Sequence, residues 1–536
     1  MPSTTRSQAN RLLAIETALG EDVFWVHRLT GVEELSRLFL FDVELRSRQG
    51  HVSFDDIMGT NATLRLELPG GGTRYFNGFV ASFERLGTAE DEEATAYRAV
   101  LRPWFWFLSR AADCRMFQDC TSAEIVEDVF GRHGFSAFRF DTGDSYATRE
   151  YCVQYRETDL NFVSRLLEEE GCFYAFEHDD GTHELVMQDT QTTLNPVSGY
   201  EEIPFYGAAE SAAPEECISA WVPRRTVQTG AYSLNDYNFE SPTTALFAKA
   251  SAQRPHALSG IEVYDYPGLY TQFGEGDRRA RVRLEELQSR HEVVSGTSNA
   301  RGLTVGRTFK PVGIEGEKRE FLVVRSEYRI GRLSENLADD EQFTCSFQAI
   351  PEKEPFRPAR ECVKPVVEGP QTAVVVWPDD EEIYPDEYGR VVVQFHWDRE
   401  SQADENSSCW VRVAQVWAGK HWGAMHLPRI GQEVIVDFLE GDPDRPIITG
   451  RVYNAQNMPP YELPGEKTKS TIKSNSSKGG GGFNEIRFDD AKDDEQIFIH
   501  AQKDEDVRVE NDSREWIGNN RHLIVKADQI EHVEGD

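Results

Sequence analysis

The sequence predicts a mainly β, multidomain fold with a smaller helical part, on three observations. Apolar and polar residues alternate between glycine-rich turns, two short stretches carry helix caps and one apolar face, and the C-terminal tail repeats every eight residues. The chain has 536 residues, room for several domains of ~100–200 residues each. Its hydrophobic fraction of 39% suits a chain with real cores, and no apolar run approaches the ~18–20 residues of a membrane span. The only apolar patch near the start, residues 12–15, is too short for the core of a secretory signal, so if the protein leaves the cell it is expected to do so by another route.

The elements follow in order. Residues 1–110 read mainly as strands: Leu64, Leu66 and Leu68 alternate with polar partners, Gly70-Gly71-Gly72 turns the chain, and residues 75–80 return. A helix is expected over 121–133, with Thr121 and Glu124 as a capping box and Ile125, Val126, Val129 and Phe130 on one face. A second begins at Thr158, buries Phe162, Val163, Leu166 and Leu167, and ends at Gly171. Its last turn carries Glu168-Glu169-Glu170, unfavourable against the helix dipole, and this run is expected to face solvent rather than a partner. A hairpin follows, with strands at 172–176 and 185–187 around Asp179-Asp180-Gly181. Residues 200–350 mix strands and loops without a clear period. Five prolines in 351–370 mark a boundary.

Beyond it, Val391, Val393, Phe395 and Trp397 alternate with polar or outward residues. Further strands are expected at 410–416, 434–439 and 447–452, the last two joined by Gly441-Asp442-Pro443-Asp444. Four or five short strands within about 80 residues suggest a small closed barrel, an OB-fold. The polar, glycine-rich connector at 467–482 lacks the order of a phosphate loop, because Lys478 precedes its glycines.

The tail repeats Val509-Glu510-Asn511-Asp512, Ile517-Gly518-Asn519-Asn520, Val525-Lys526-Ala527-Asp528 and Val533-Glu534-Gly535-Asp536, with Ala501-Gln502-Lys503-Asp504 as a weaker member. One octad supplies one strand and a corner with too few apolar residues to enclose a core. Three chains, each giving one octad per layer, close a triangular prism, so the repeat implies a homotrimer with Val509, Ile517, Val525 and Val533 inside.

Composition and motifs narrow the chemistry. A net charge of −35 repels a phosphate backbone, so no nucleic-acid partner is expected. Trp397, Trp410, Trp417 and Trp422 could stack on bases or sugars in a ligand-binding OB domain. Against that acidic background they read instead as core or as contacts with neighbouring chains. Eight scattered cysteines include no C-x-x-C pair and read as buried reduced thiols. His421 and His426, five apart, read as loop or strand residues rather than metal ligands. With no H-E-x-x-H, G-x-S-x-G or Walker pattern, the chain is not expected to be an enzyme. No catalytic, cofactor or metal residue is assigned.

Residues 384–454 (YPDEYGRVVVQFHWDRESQADENSSCWVRVAQVWAGKHWGAMHLPRIGQEVIVDFLEGDPDRPIITGRVYN) closely resemble the barrel of VgrG proteins, also called Rhs-element Vgr proteins. Residues 97–125 (YRAVLRPWFWFLSRAADCRMFQDCTSAEI) and 153–189 (VQYRETDLNFVSRLLEEEGCFYAFEHDDGTHELVMQD) resemble that family's hub, and 484–512 (NEIRFDDAKDDEQIFIHAQKDEDVRVEND) its entry into the needle. The resemblance implies a phage-tail-hub-like region over 1–360 with two tube-protein-like barrels, a linker at 361–383, an OB-fold neck at 384–455, a connector at 456–483, and the start of a triple-stranded β-helical needle at 484–536. It implies a trimeric spike of a type VI secretion system, made in the cytoplasm and then delivered into a target cell. Its implied partners are the hexameric Hcp tube, a PAAR-type tip protein, an effector (Rhs-type among the options) with its chaperone, and transiently the target membrane. A phage tail hub or spike component is the neighbouring alternative. Family needles usually run through many more octads before a PAAR-holding tip, whereas this repeat is still running at Asp536; a truncated and a natively short needle both fit. Only about thirty residues separate Val452 from Asn484, too few for an inserted lysozyme domain of the kind some phage spikes carry.

Overall fold

A computed structural model describes residues 8, 11–88, 94–191, 194–207, 216–331 and 342–535. The N-terminal part is built on one twelve-stranded sheet. Its order runs Leu13–Thr17, Asn61–Glu67, Thr73–Thr88, Thr95–Arg102, Leu40–Ser47, Trp25–Glu34, then Phe321–Gly331, Gln342–Pro351, Glu292–Ser298 and Ile218–Arg225. Strands Thr308–Val312 and Glu202–Pro204 lie off this path. The first six strands are local in sequence, and the sheet continues only because Trp25–Glu34 pairs antiparallel with Phe321–Gly331, about as far apart as the hub allows. Gly31 sits at that seam, opposite Phe41 on one side and Tyr328 on the other. A Cβ there would lie 2.8 Å from the Phe41 ring, so glycine lets an aromatic from each half cover the junction.

The hairpin at the Gly70-Gly71-Gly72 turn forms as expected, with Leu64 opposite Phe76 and Leu66 opposite Arg74. Helix α1 (Ser122–Arg132) has the full capping box: the Thr121 side chain accepts from the Glu124 N–H, and the Glu124 side chain accepts from the Thr121 N–H. Helix α2 (Asp159–Glu170) starts at Thr158 and ends at Gly171 in the left-handed conformation. The strands Phe173–Asp179 and Thr182–Gln188 follow it. Helix α3 (Phe273–Gln288), in the stretch whose period was unclear, packs on a small sheet of Ala231–Leu234, Ala248–Ser251 and Glu262–Asp265.

The barrel begins before residue 384. Gln371–Val375, inside the segment read as linker, pairs with both Val393–Phe395 and Glu433–Phe438. Prolines 365 and 370 both precede this strand and neither enters it, so proline density does not mark where the barrel begins. Pro446–Arg451 and Arg412–Val413 complete the sheet, and the Val391–Val411 bridge closes it into a five-stranded barrel. Ala373, Val375, Val393, Phe395, Val434, Val436 and Ile448 fill it. The cysteines are all unpaired; Cys152, Cys172, Cys217 and Cys345 are buried, the other four half-buried.

Candidate functional site: a charged joint and an uncovered apolar surface

The acidic run of α2 is where the structure departs most from the sequence reading. Glu168, Glu169 and Glu170 are not solvated; they are 4%, 5% and 3% exposed. Arg149 reaches Glu169 at 2.9 Å and Glu170 at 2.6 Å, Arg278 also pairs with Glu170, and Arg165 stands 3.7 Å from Glu169. Arg165 is held in turn by Glu157 at 2.9 Å. Glu168 accepts from the backbone N–H groups of Glu361 and Cys362 at 3.0 and 2.9 Å. Burial alone would raise the Glu169 and Glu170 carboxyls; Arg149 with Lys364 and Arg165 for Glu169, and Arg149 with Arg278 for Glu170, outweigh it and hold both below the usual range. For Glu168 burial wins and the carboxyl is raised. At Glu169 and Glu170 the cations thus offset both the desolvation and the adverse helix dipole.

This cluster ends at the barrel. Lys364 lies 2.6 Å from Asp442 and 2.6 Å from Asp444, both in the Gly441-to-Asp444 turn, and Asp444 accepts from the Val153 N–H at 2.6 Å. The Val367 N–H donates to the Gly441 carbonyl at 2.8 Å. Around the same seam Arg132 pairs with Glu400 at 2.6 Å, Arg399 pairs with Asp113, and Gln371 donates to the Tyr155 hydroxyl at 3.0 Å. Met116 and Trp397 pack against the barrel core. Hub and neck are therefore joined by charge-assisted contacts in fixed directions.

Beyond the barrel, Lys469–Lys473, Glu485–Asp489 and Gln496–His500 form an antiparallel sheet. One face is polar and covered by Tyr461: its hydroxyl bonds Glu485, Arg487 donates to it at 2.9 Å, and the Lys469 and Lys473 ammoniums lie over its ring. The other face is apolar and bare. Ile472, Ile486 and Ile499 stand in one row across the strands, with Phe488 and Ile497 paired two positions on. They are 68%, 46%, 60%, 46% and 69% exposed. Soluble monomers rarely leave such a contiguous patch open. The alternation of Ile486 with Phe488 and of Ile497 with Ile499 was the available signal for four of these five residues; Ile472 stands alone in its strand.

After His500 the described chain forms no further strand. Val509, Ile517, Val525 and Val533 lie along this segment and are all exposed in the single chain. The first three, at 46–49%, are the less exposed of its apolar side chains, against 95% for Trp516 and 86% for Ile524. The structure brings the four into no common core within one protomer, and Asp536 lies outside the described residues. Trp397 stacks on Phe395, and Trp410 lies against Trp377 and Tyr384, whereas Trp417 and Trp422 project from the barrel. His421 sits in a tight turn, and the His426 N–H donates to Gln415.

Comparison with known proteins agrees with this division. Residues 32–334 match the phage tail baseplate hub (GPD) family, 371–453 the type VI secretion system/phage-baseplate injector OB domain, and 470–536 the bacteriophage T4 gp5 C-terminal trimerisation domain. The chain is 46% identical to the Pseudomonas aeruginosa type VI secretion system spike protein VgrG1b, over 96% of this chain and 70% of that protein. It is 45% identical to VgrG1a of the same organism, over 95% and 80%. It is 35% identical to the actin cross-linking toxin VgrG1 of Vibrio cholerae, over 93% of this chain but 46% of that one. Among solved structures, an Escherichia coli component of the type VI secretion system superposes with a TM-score of 0.56 at 22% identity, over 80% of this chain and 96% of that one. One chain of the Francisella PdpA–VgrG complex superposes with a TM-score of 0.56 at 10% identity, over 92% of this chain and 78% of that one. By identity and by the order of its three regions, the chain belongs to the VgrG family of type VI secretion system spike proteins.

Proposed function

We propose that three copies of this chain assemble through the C-terminal sheet and octads into a puncturing spike that acts mechanically and not as an enzyme. The observation that carries the reading is the bare apolar face of Ile472, Ile486, Phe488, Ile497 and Ile499, which the repeated aliphatics follow along the chain. Covering five such half-exposed side chains is worth on the order of 5 kcal/mol per protomer. The match to a trimerisation domain over this stretch supports three copies rather than two. The hub then docks on the sixfold ring of an Hcp tube, three copies with two tube-like halves each. The needle end carries a PAAR-type tip and an effector with its chaperone, and meets the target membrane only during delivery. The acidic surface supports a spike that binds no nucleic acid. Light scattering on the full chain at micromolar concentration tests the assembly: the mass of three chains is expected, and a persistent monomer overturns it. Electron microscopy of the trimer with Hcp tubes tests the docking, which capped tube ends support and bare ends refute.

A further inference from the structure

The barrel carries a feature that its own fold does not use. Between its last two strands and the strand Arg412–Val413, the chain leaves the barrel as a small hairpin, Ala418–Gly419 paired with Trp422–Gly423. It presents Val416, Trp417, Trp422 and Met425 to solvent at 95%, 63%, 58% and 76% exposure. The hairpin is nevertheless built tightly. The two indoles meet edge to face, with centroids 5.1 Å apart. A Cβ on Gly419 would lie 2.3 Å from the Trp422 ring, and one on Gly423 2.3 Å from the Trp417 carbonyl, with Gly423 at φ 142°. Only glycine at both positions lets the tryptophans pair in this way. A rigid, preformed pair of exposed tryptophans costs solubility and gives the isolated chain nothing. Paired aromatics with little conformational freedom left to lose are what an interface hot spot requires.

We infer that this hairpin is an intersubunit clasp that packs on a neighbouring copy of the same chain. The inference rests on the trimer reading above and adds a second contact surface to it. What selects another copy over an unrelated partner is continuity with the trimerisation region. The stem of the hairpin is tied to the segment that leads there: Gln415 accepts from the His426 N–H at 2.9 Å, and Arg451 donates to the His426 carbonyl just before the chain leaves the barrel. Three residues on, Arg429 donates to the Asn475 carbonyl at 2.9 Å, inside the stretch that matches the T4 trimerisation domain. The hairpin therefore stands beside the needle entry, where a threefold arrangement sets the next protomer alongside. A ring of three uses a head-to-tail contact at each boundary, so a projecting element on one protomer meets a different surface on the next. Large aromatic side chains offer about 150–250 Å² each, so two half-exposed indoles with Val416 and Met425 supply roughly half of the ~800 Å² per partner of a standard interface. The hairpin strengthens a trimer that the needle initiates; it does not replace the needle.

The test is a dilution series on the full chain, followed by mass photometry or, where the trimer survives dilution, by dissociation in rising guanidinium. The variants are Trp417→Ala with Trp422→Ala, and separately Val416→Glu, whose side chain is almost fully exposed and lies outside every core. Both are expected to raise the midpoint concentration for dissociation at least tenfold, or to lower the guanidinium midpoint correspondingly. Circular dichroism should match the unmodified protein. Midpoints within twofold of the unmodified trimer for both variants overturn the clasp and leave the trimer reading standing. A monomeric unmodified chain at every concentration overturns both.

Discussion

Replacing Lys364 by Met probes whether the hub and barrel are held as one body. The ammonium lies 2.6 Å from each of Asp442 and Asp444, with Glu169 among the charges acting on it. Burial would lower its pKa, but these carboxylates raise it above the ordinary range, so it is charged in the folded protein. Met keeps most of the volume and removes the charge, which leaves two neighbouring carboxylates without their counter-ion. Asp442 is already raised, chiefly by burial, and the substitution should push it further. Breaking a buried pair from one side costs about 3–5 kcal/mol; the Lys364 side chain keeps 19% of its exposure, so the lower end, about 3 kcal/mol, is expected. The loss falls on the joint, because the barrel and the hub each have their own core. Native-state hydrogen exchange reads it directly at the Val367 N–H, bonded to Gly441 across the seam. A 3 kcal/mol loss corresponds to about a hundredfold faster exchange there, with strands such as Phe321–Gly331 unchanged. Combining Lys364→Met with Asp442→Asn and Asp444→Asn should recover most of the loss, since no uncompensated charge remains. Unchanged exchange at Val367 in the single variant, or no recovery in the triple one, would refute an electrostatic joint.

The other expectations are narrower. Val525→Asp places three carboxylates near the proposed axis and should fray the needle, with cleavage at 467–482 far earlier than in Glu534→Lys, whose cost should stay within about 0.5 kcal/mol; equal proteolysis of the two would mean the octad register is misread. His183 accepts from the Trp104 N–H at 3.0 Å and contacts Asn77 at 2.7 Å, and burial with neighbouring His178 pushes it down to about 3. The unfolded chain therefore binds a proton first, and hub stability should fall as pH drops from about 6.5 towards 3, by up to ~1.4 kcal/mol per unit, a slope that His183→Gln should reduce in pH-resolved melting. Gly171→Ala meets Val282 at 2.4 Å in a left-handed cap, whereas Gly134→Ala, also left-handed, meets nothing; the first should lower the melting temperature clearly more than the second, for which only ~1 kcal/mol of backbone strain is expected. Because like-charged chains are joined by apolar contacts, the trimer should tighten as salt rises from about 20 to 300 mM; weakening with salt would mean that ion pairs dominate the interface.

What could be read from the sequence was what local physics determines. The Thr121–Glu124 capping box, the Gly171 cap and the 64–80 hairpin depend on residues a few positions apart, and each formed where expected. Glu168 to Glu170 could not be placed that way. Arg165 lies one turn back on the same helix, but Arg149, Arg278 and Lys364 come from other elements, and three acids in a row carry no sign of such counter-ions. Helix α3 escaped for a different reason. Of its buried positions Gly276, Ala280, Val282, Arg283, Leu284 and Gln288, three are apolar, and Ala280, Val282 and Leu284 are spaced by two rather than at a helical period. Gly276 is there because a Cβ would lie 2.5 Å from the Tyr270 ring, and Arg283 because it donates to the Glu168 carbonyl. The octads were visible as a repeat, but the open face of the preceding sheet became plain only once the register aligned Ile472, Ile486 and Ile499.

The two interfaces of this protein are made of opposite materials, and their roles account for the difference. The joint between hub and barrel forms within one chain, at an effective concentration that needs no hydrophobic gain to bring the parts together. Buried ion pairs add little net stability there, but their fixed directions admit few alternative arrangements, and that would suit a seam carrying axial load in the proposed spike. In the proposed spike the C-terminal face must instead recruit two further chains, each with a net charge of −35, against their mutual repulsion. Another set of exposed ion pairs would be screened and worth little each. Area removed from water is the contribution that charge and salt do not cancel. Apolar residues are accordingly concentrated where the chain leaves its barrel: the Trp417–Trp422 hairpin, the Ile472–Ile486–Ile499 row and the octad aliphatics, all bare in one protomer. A chain that kept its cations at the joint and its uncovered apolar surface at the needle would hold its own domains rigidly while remaining incomplete until three copies meet.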